Sequence, residues 1–187
     1  MSKQVIMPQE DWQDILDAVR YSAEDSALMR SGNVAPKIRS ATAYLESFVD
    51  GGVEVLKNSH LTAINRYAFM SHANLKSIVL PNVTQVGQSG FRECMNLVKA
   101  DFSSLNLLEN YAFYGSSAIK TLIIRTNTVC TLVNRYVFVA SPMNNGDGYI
   151  YVPSALLAQY KQATNWSVYA DHIRAIEDYP EITGETI

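Results

Sequence analysis

Through the middle of the chain, apolar residues return every 22 positions. Phe69, Phe91 and Phe113 form one series, Ile64, Val86 and Leu108 a second, and Leu75, Leu97 and Ile119 a third. Three more keep the same step: Leu61, Val83 and Leu105; Ile78, Ala100 and Leu122; Leu80, Phe102 and Ile124. Every member is apolar while the intervening positions vary, so one side of each copy faces a shared core. A fixed period in this range predicts a solenoid whose coils pack only against their neighbours and present an extended, regular surface. That surface suits contact with a partner better than enclosure of a substrate.

Alternation within one copy assigns its parts. The segment ending at Ile64 reads as a short strand, and Tyr67-Ala68-Phe69 as a tight turn that drops Phe69 into the core. Leu75 to Leu80 reads as a second strand with Leu75, Ile78 and Leu80 inward and Ser77 and Val79 outward. Carried through the copies, the outward set is Ser77, Val79, Lys99, Asp101, Thr121 and Ile123, whose mixed chemistry fits a protein contact. Tyr67, Tyr111 and Tyr136 hold equivalent turn positions as a candidate tyrosine ladder, which either fills an interface or packs each ring over its own turn. A fourth, degraded copy is expected to place Val133, Tyr136 and Phe138 after a three-residue shift.

The flanks differ from the repeats. Residues 8–21 place Trp12, Ile15, Leu16 and Val19 on one helical face, with Pro8 suited to the first turn and Glu10 and Asp11 at its positive end. An apolar face on so short a helix needs a partner, so residues 1–42 are expected to be a helical head that docks or assembles, with Trp12 as anchor. Tyr44 to Val49 and Val53 to Leu56, joined by Asp50-Gly51-Gly52, predict a hairpin that caps the array over residues 43–60. The repeats then run over 61–148, and 149–187 form a strand–helix cap in which Trp166, after a helix starting near Ser154, closes the last core.

The motif Ile64-x-x-Tyr67-Ala68-Phe69, continuing to Asn74-Leu75-x-x-Ile78-x-Leu80-Pro81-x-Val83-x-x-Val86-Gly87 and recurring as Phe91-x-x-Cys94-x-Asn96-Leu97, resembles the BspA-type leucine-rich repeat over about residues 53–140. Ile150-Tyr-Val-Pro153 through Trp166, Tyr169, Ile173 and Ile176 is similar to the segment that closes such arrays. The resemblance implies an α/β, right-handed leucine-rich-repeat solenoid. It also implies a setting in bacterial surface and adhesion proteins or in proteins of phages and prophages. The head, through Ser31-Gly32-Asn33-Val34-Ala35-Pro36, is similar to the start of phage virion-associated chains.

Composition narrows the classes. With 15 basic and 18 acidic residues, scattered rather than striped, the formal charge of -3 carries no footprint for nucleic acid. No apolar run approaches the roughly 20 residues of a membrane-spanning helix. The first residues lack a secretion leader, which favours a virion part assembled in the bacterial cytoplasm over an exported surface protein.

Candidate chemistry is sparse. Cys94 and Cys130 fit neither a disulfide scaffold nor a zinc motif, and Cys94 reads as a half-buried filler. His60, His72 and His172 form no metal-ligand spacing. Ser89 in Val86-Gly87-Gln88-Ser89-Gly90 reads as an exposed turn residue rather than a nucleophile. Asn144-Asn145-Gly146-Asp147-Gly148 reads as a surface turn rather than a calcium loop. No cofactor or metal is expected. The function expected is therefore a non-enzymatic virion structural protein, with a bacterial adhesin or interaction module as the alternative and an enzyme as a remote third. Its expected partners are other virion or surface proteins or a host-envelope protein or glycan, with a homo-oligomer as a further expectation.

Overall fold

The computed structural model describes residues 54–184. The helical head, with Trp12, Ile15, Leu16 and Val19, lies outside these residues, as does the expected first hairpin strand Tyr44–Val49. Two parallel sheets dominate what is described. The first contains β1 (Val55–Lys57), β3 (Ser77–Val79), β5 (Lys99–Phe102), β7 (Thr121–Ile124), β9 (Tyr149–Val152) and β10 (Ile173–Ala175), side by side in that order. The second contains β2 (Ala63–Ile64), β4 (Gln85–Val86), β6 (Leu107–Leu108) and β8 (Thr131–Leu132).

The 22-residue step is the register of both sheets: Ile78 lies beside Ala100 and Ala100 beside Leu122, while Ile64 lies beside Val86 and Val86 beside Leu108. The strand near Val53–Leu56 occurs as Val55–Lys57 and pairs in parallel with β3, so it is the first rung of the larger sheet.

A third ladder runs along the turns. Tyr67, Phe69 and Ser71 donate their amides to the carbonyls of Gln88, Gly90 and Arg92 in the next coil, and Ser89, Phe91 and Glu93 donate likewise to Asn110, Ala112 and Tyr114. The amides in between close the turns, as in Ala68 to Asn65 O and Met70 to Tyr67 O. Alternating the two directions forces left-handed backbone at Tyr67, Ser89 and Tyr111, and again at Ser71, Glu93, Gly115 and Ala140, all with φ between 57° and 70°. Backbone polar groups buried at a corner need partners, and this pattern supplies them at the cost of strained φ values.

The periodic apolar residues form the core. Ile78, Leu80, Val83, Val86, Phe91, Leu97, Leu105, Leu108, Phe113, Ile119, Leu122 and Ile124 are fully buried. Phe69, Phe91, Phe113 and Phe138 stack in a row, with centroids 5.2, 5.4 and 5.9 Å apart and ring planes within 14° of parallel. Ser116 Oγ donates to Phe91 O in the preceding coil and accepts from the amide of Cys94.

Four expectations need correction. In the fourth copy Leu132, not Val133, takes the inward place, because Leu132 lies beside Leu108 while Val133 is exposed. The extra residues fall partly between β7 and β8 and partly in the following turn, so the copy is not shifted as a block. Ser89 is buried, held under the corner by its left-handed turn. Cys94 is fully buried rather than half-buried, and burial pushes its thiol up to about 12. Asp101 and Ile123, assigned to an open face, are also buried. Asp101 is closed by a bidentate pair with Arg125 (Nε to Oδ1 2.9 Å, Nη2 to Oδ2 2.7 Å).

The tail follows β9 with a 3-10 turn (Ser154–Leu156), α2 (Leu157–Gln162) and a second 3-10 segment (Ser167–His172) before β10; a four-residue helix, α1 (Pro142–Asn145), precedes β9. After β10 come a 3-10 turn (Ile176–Asp178) and α3 (Pro180–Thr183). Trp166 closes the last core as expected: its ring is buried against Phe138 and Tyr160, and its Nε1 donates to Cys130 O at 2.6 Å.

Candidate functional site

Two surfaces contain the residues expected to bind. The first is the turn corner with the tyrosine ladder. Tyr67 and Tyr136 are exposed at 45% and 43%, and Tyr111 is half-buried. The rings do not form one continuous stack, because the intervening coil carries the small, buried Ser89. Tyr111 and Tyr136 do stack, at 6.2 Å and 24°, and Tyr114 meets Tyr111 edge to face at 5.7 Å.

Arginines hold these rings. Arg66 lies 4.7 Å from the Tyr67 ring centre, Arg92 5.2 Å from Tyr114 and Arg135 5.4 Å from Tyr136. Arg66 Nη2 also donates to Tyr67 Oη at 2.8 Å, and the Arg92 guanidinium pairs with Glu93. Cation–π contact fixes each phenol in one orientation, so the surface loses little entropy when something docks on it. The arginines were not singled out from the sequence. The signal was there in the adjacent pairs Arg66-Tyr67 and Arg135-Tyr136 at equivalent turns.

The second surface is the outer face of the larger sheet. Ser77, Val79, Lys99 and Thr121 are partly exposed, and β9 and β10 extend the face with Tyr149 and Arg174. Beside the tail this face opens into a cleft of about 390 Å³ lined by Lys120, Thr121, Tyr149, Tyr151, Arg174 and Tyr179, among others. Arg174 lies over Tyr149 at 4.7 Å, and Lys120 Nζ meets the Asp147 carboxylate at 2.6 Å, a hydrogen bond that lowers that acid's pKa. Burial, with Tyr179 and Tyr149 close by, pushes the Tyr151 phenol up.

Reactive groups lie elsewhere. Both thiols are buried and pushed up to about 12, far from a nucleophile's range. Among the described residues, no three His, Cys, Asp or Glu side chains come together as a metal site. No helix among them is long and apolar enough to cross a membrane.

Parallel rungs in 22-residue register, a shared apolar core and polar corners define a protein built of stacked repeats. Residues 53–151, more than half of the 187-residue chain, match the model of the BspA type leucine rich repeat region in six copies. The chain belongs to that family. A solved structure of a leucine-rich repeat protein from Bacteroides capillosus ATCC 29799 is similar at 21% identity and a TM-score of 0.45, over 55% of this chain and 79% of that one. No curated protein matches the chain.

Proposed function

We propose that this chain is a non-enzymatic protein-binding module, a right-handed solenoid that presents the arginine-braced tyrosines of its turn corner to a partner. The observation that carries the reading is the corner itself, where Tyr67 and Tyr136 stand exposed while Arg66 and Arg135 fix their orientation. Preorganised Tyr and Arg side chains supply large contact area at low ordering cost, the composition that dominates protein interfaces.

The setting we propose is a phage or prophage virion, with residues 1–42 attaching to the particle and the repeats facing neighbouring proteins or the host envelope. Several copies per particle would turn weak single contacts into firm attachment. The head's similarity to virion-associated chains supports this setting, and family membership supports equally the alternative of a bacterial surface protein.

Fractionating a producing strain separates the two. The virion reading expects the chain to band with particles and to leave them when Trp12 and Leu16 become Ala, with the repeats still folded. Recovery in the cell envelope instead, or unchanged incorporation of the Trp12→Ala, Leu16→Ala variant, would overturn it. Binding through the corner is read separately: changing Tyr67, Tyr111 and Tyr136 together to Ala should abolish attachment of the isolated chain to its target surface while leaving the melting temperature within a few degrees.

A further inference from the structure

The outer side of β9 and its two neighbours gathers polar side chains around one depression. In β9 the inward residues are Ile150 and Val152, both fully buried, so alternation turns Tyr149 and Tyr151 outward. The register sets Thr121 of β7 beside Tyr149 and Arg174 of β10 beside Tyr151. These four line the cleft of about 390 Å³, with the exposed Lys120 and Asp147 at its margin. Clefts of about 300–1,000 Å³ are of the size that encloses a small ligand.

Two features separate this cleft from an ordinary surface hollow. The first is the Tyr151 phenol. The residue is only 3% exposed and its ring sits edge to face against Tyr179, yet its Oη makes no hydrogen bond among the described residues. Asn58 Nδ2 is the one buried side-chain polar atom without a partner among those residues, so the small surface that Tyr151 keeps includes its Oη, in the cleft. Buried hydroxyls are nearly always hydrogen-bonded, and one left open only toward a cleft is aimed at what enters it.

The second feature is Arg174. Its guanidinium lies over Tyr149 at 4.7 Å and its Nη1 donates to Ile173 O at 3.1 Å, but no carboxylate among the described residues pairs with it. The other cation of the lining, Lys120, is neutralised by Asp147 at 2.6 Å. Glu181 acts on the Tyr151 phenol through its charge, but it is exposed and outside the lining. The cleft therefore keeps one positive charge, on a planar fork whose contact with a ring fixes its orientation.

We propose that this cleft binds an acidic sugar, its carboxylate on Arg174 and a ring hydroxyl on Tyr151. A guanidinium fork matches the two oxygens of a carboxylate. The phenols of Tyr149 and Tyr151 and the Thr121 hydroxyl both donate and accept, and the Lys120–Asp147 pair offers a donor and acceptors side by side, which complements a body carrying several hydroxyls. An acidic peptide would meet Arg174 equally well but brings no ring of hydroxyls for the other groups. The site shares no residue with the tyrosine corner, so either can fail alone.

The test titrates the full chain with sialyllactose and with digalacturonate, followed by amide chemical shifts. Lactose and the methyl ester of digalacturonate serve as neutral counterparts, and a glutamate tripeptide as the acidic peptide. At least one acidic sugar should saturate the cleft at millimolar concentration or below, about tenfold or more tighter than its neutral counterpart. Arg174→Gln should weaken that binding by about tenfold or more, and Tyr151→Phe, which removes a hydroxyl and keeps the ring, should weaken it several-fold with the melting temperature unchanged. Tyr67→Ala, at the corner, should leave it intact. Saturation by neither sugar, equal affinity for the neutral counterparts, equally tight binding of the tripeptide, or undiminished binding by Tyr151→Phe would each overturn the proposal.

Discussion

At the scale of single residues, the corner ladder is bought with backbone strain, and the strain is measurable. Left-handed φ costs an L-residue with a Cβ about 1–2 kcal/mol, and the equivalent places are filled by Ser71, Glu93, Gly115 and Ala140, one of them already glycine. Ser71 and Glu93 offset part of the cost with a hydrogen bond between their side chains across coils. Ala140, exposed at φ 58°, has only a methyl group to set against it. Ala140→Gly should therefore stabilise the chain by about 1 kcal/mol, less the extra freedom glycine gains when unfolded. Urea denaturation reads the difference directly, and a destabilised variant would show that the turn is not strained there.

The buried thiols set the response to alkali. Cys94 and Cys130 ionise near 9.0 when unfolded but are pushed up to about 12 in the fold by burial, and Tyr160 moves from 10.0 to about 12 for the same reason. Their folded pKa values are raised, so the protonated forms favour the fold fully below about pH 9. As pH climbs from about 9 toward 12 the unfolded chain releases protons that the folded chain retains, and stability falls. The urea midpoint should hold steady to about pH 8.5 and then decline, with a shallower decline in Cys94→Ala. Thiol reagents should reach neither cysteine until the chain unfolds.

At the scale of elements, the row of phenylalanines ranks the coils. Phe113 is fully buried and touches Phe91, Phe138 and, edge to face, Phe102, whereas Phe69, the first ring of the row among the described residues, is half-buried. Phe113→Ala should cost about 3–5 kcal/mol and Phe69→Ala distinctly less, since a half-buried ring leaves less of a cavity. Equal losses in chemical denaturation would mean the coils do not depend on a continuous row.

This row and the inward strand positions were legible in the sequence, because a residue buried between coils sees the same neighbours in every copy and 22-residue spacing records that. The register broke down where equivalence does. Inserted residues spread over two turns, and so Leu132 rather than Val133 faces inward. The outer face was misread at Ile123 for a different reason: alternation points it outward, yet it is fully buried, and no local period encodes a cover from outside the repeat. Asp101 likewise needed Arg125, 24 residues on, beyond the repeat step.

For the molecule as a whole, the problem is how a stack of coils ends. Every coil offers carbonyls to the next one, and the coil of β8 has no successor in its sheet. Side chains from the tail take that place. Tyr160 Oη accepts from Cys130 N, Trp166 Nε1 donates to Cys130 O, Asn165 Nδ2 donates to Leu132 O at 2.8 Å and Val133 O at 3.1 Å, and Tyr169 Oη donates to Arg135 O. The carbonyls of Cys130 and Leu132, equivalent to those of Asn106 and Leu108 that pair with β8, are thereby satisfied along with two turn carbonyls, and the edge is closed to a second chain. Asn165 serves twice, since it also holds φ 65°, which asparagine tolerates better than alanine. Asn165→Gly removes the hydrogen bonds alone, for about 1 kcal/mol. Asn165→Ala adds left-handed strain, for about 2 kcal/mol in total. Alanine should therefore melt lower than glycine, against the usual order of the two in a folded chain. Both variants should also self-associate with rising concentration in sedimentation, because the β8 edge is bared, and two variants that remain monomeric would show that the array is closed by Trp166 and the surrounding rings alone.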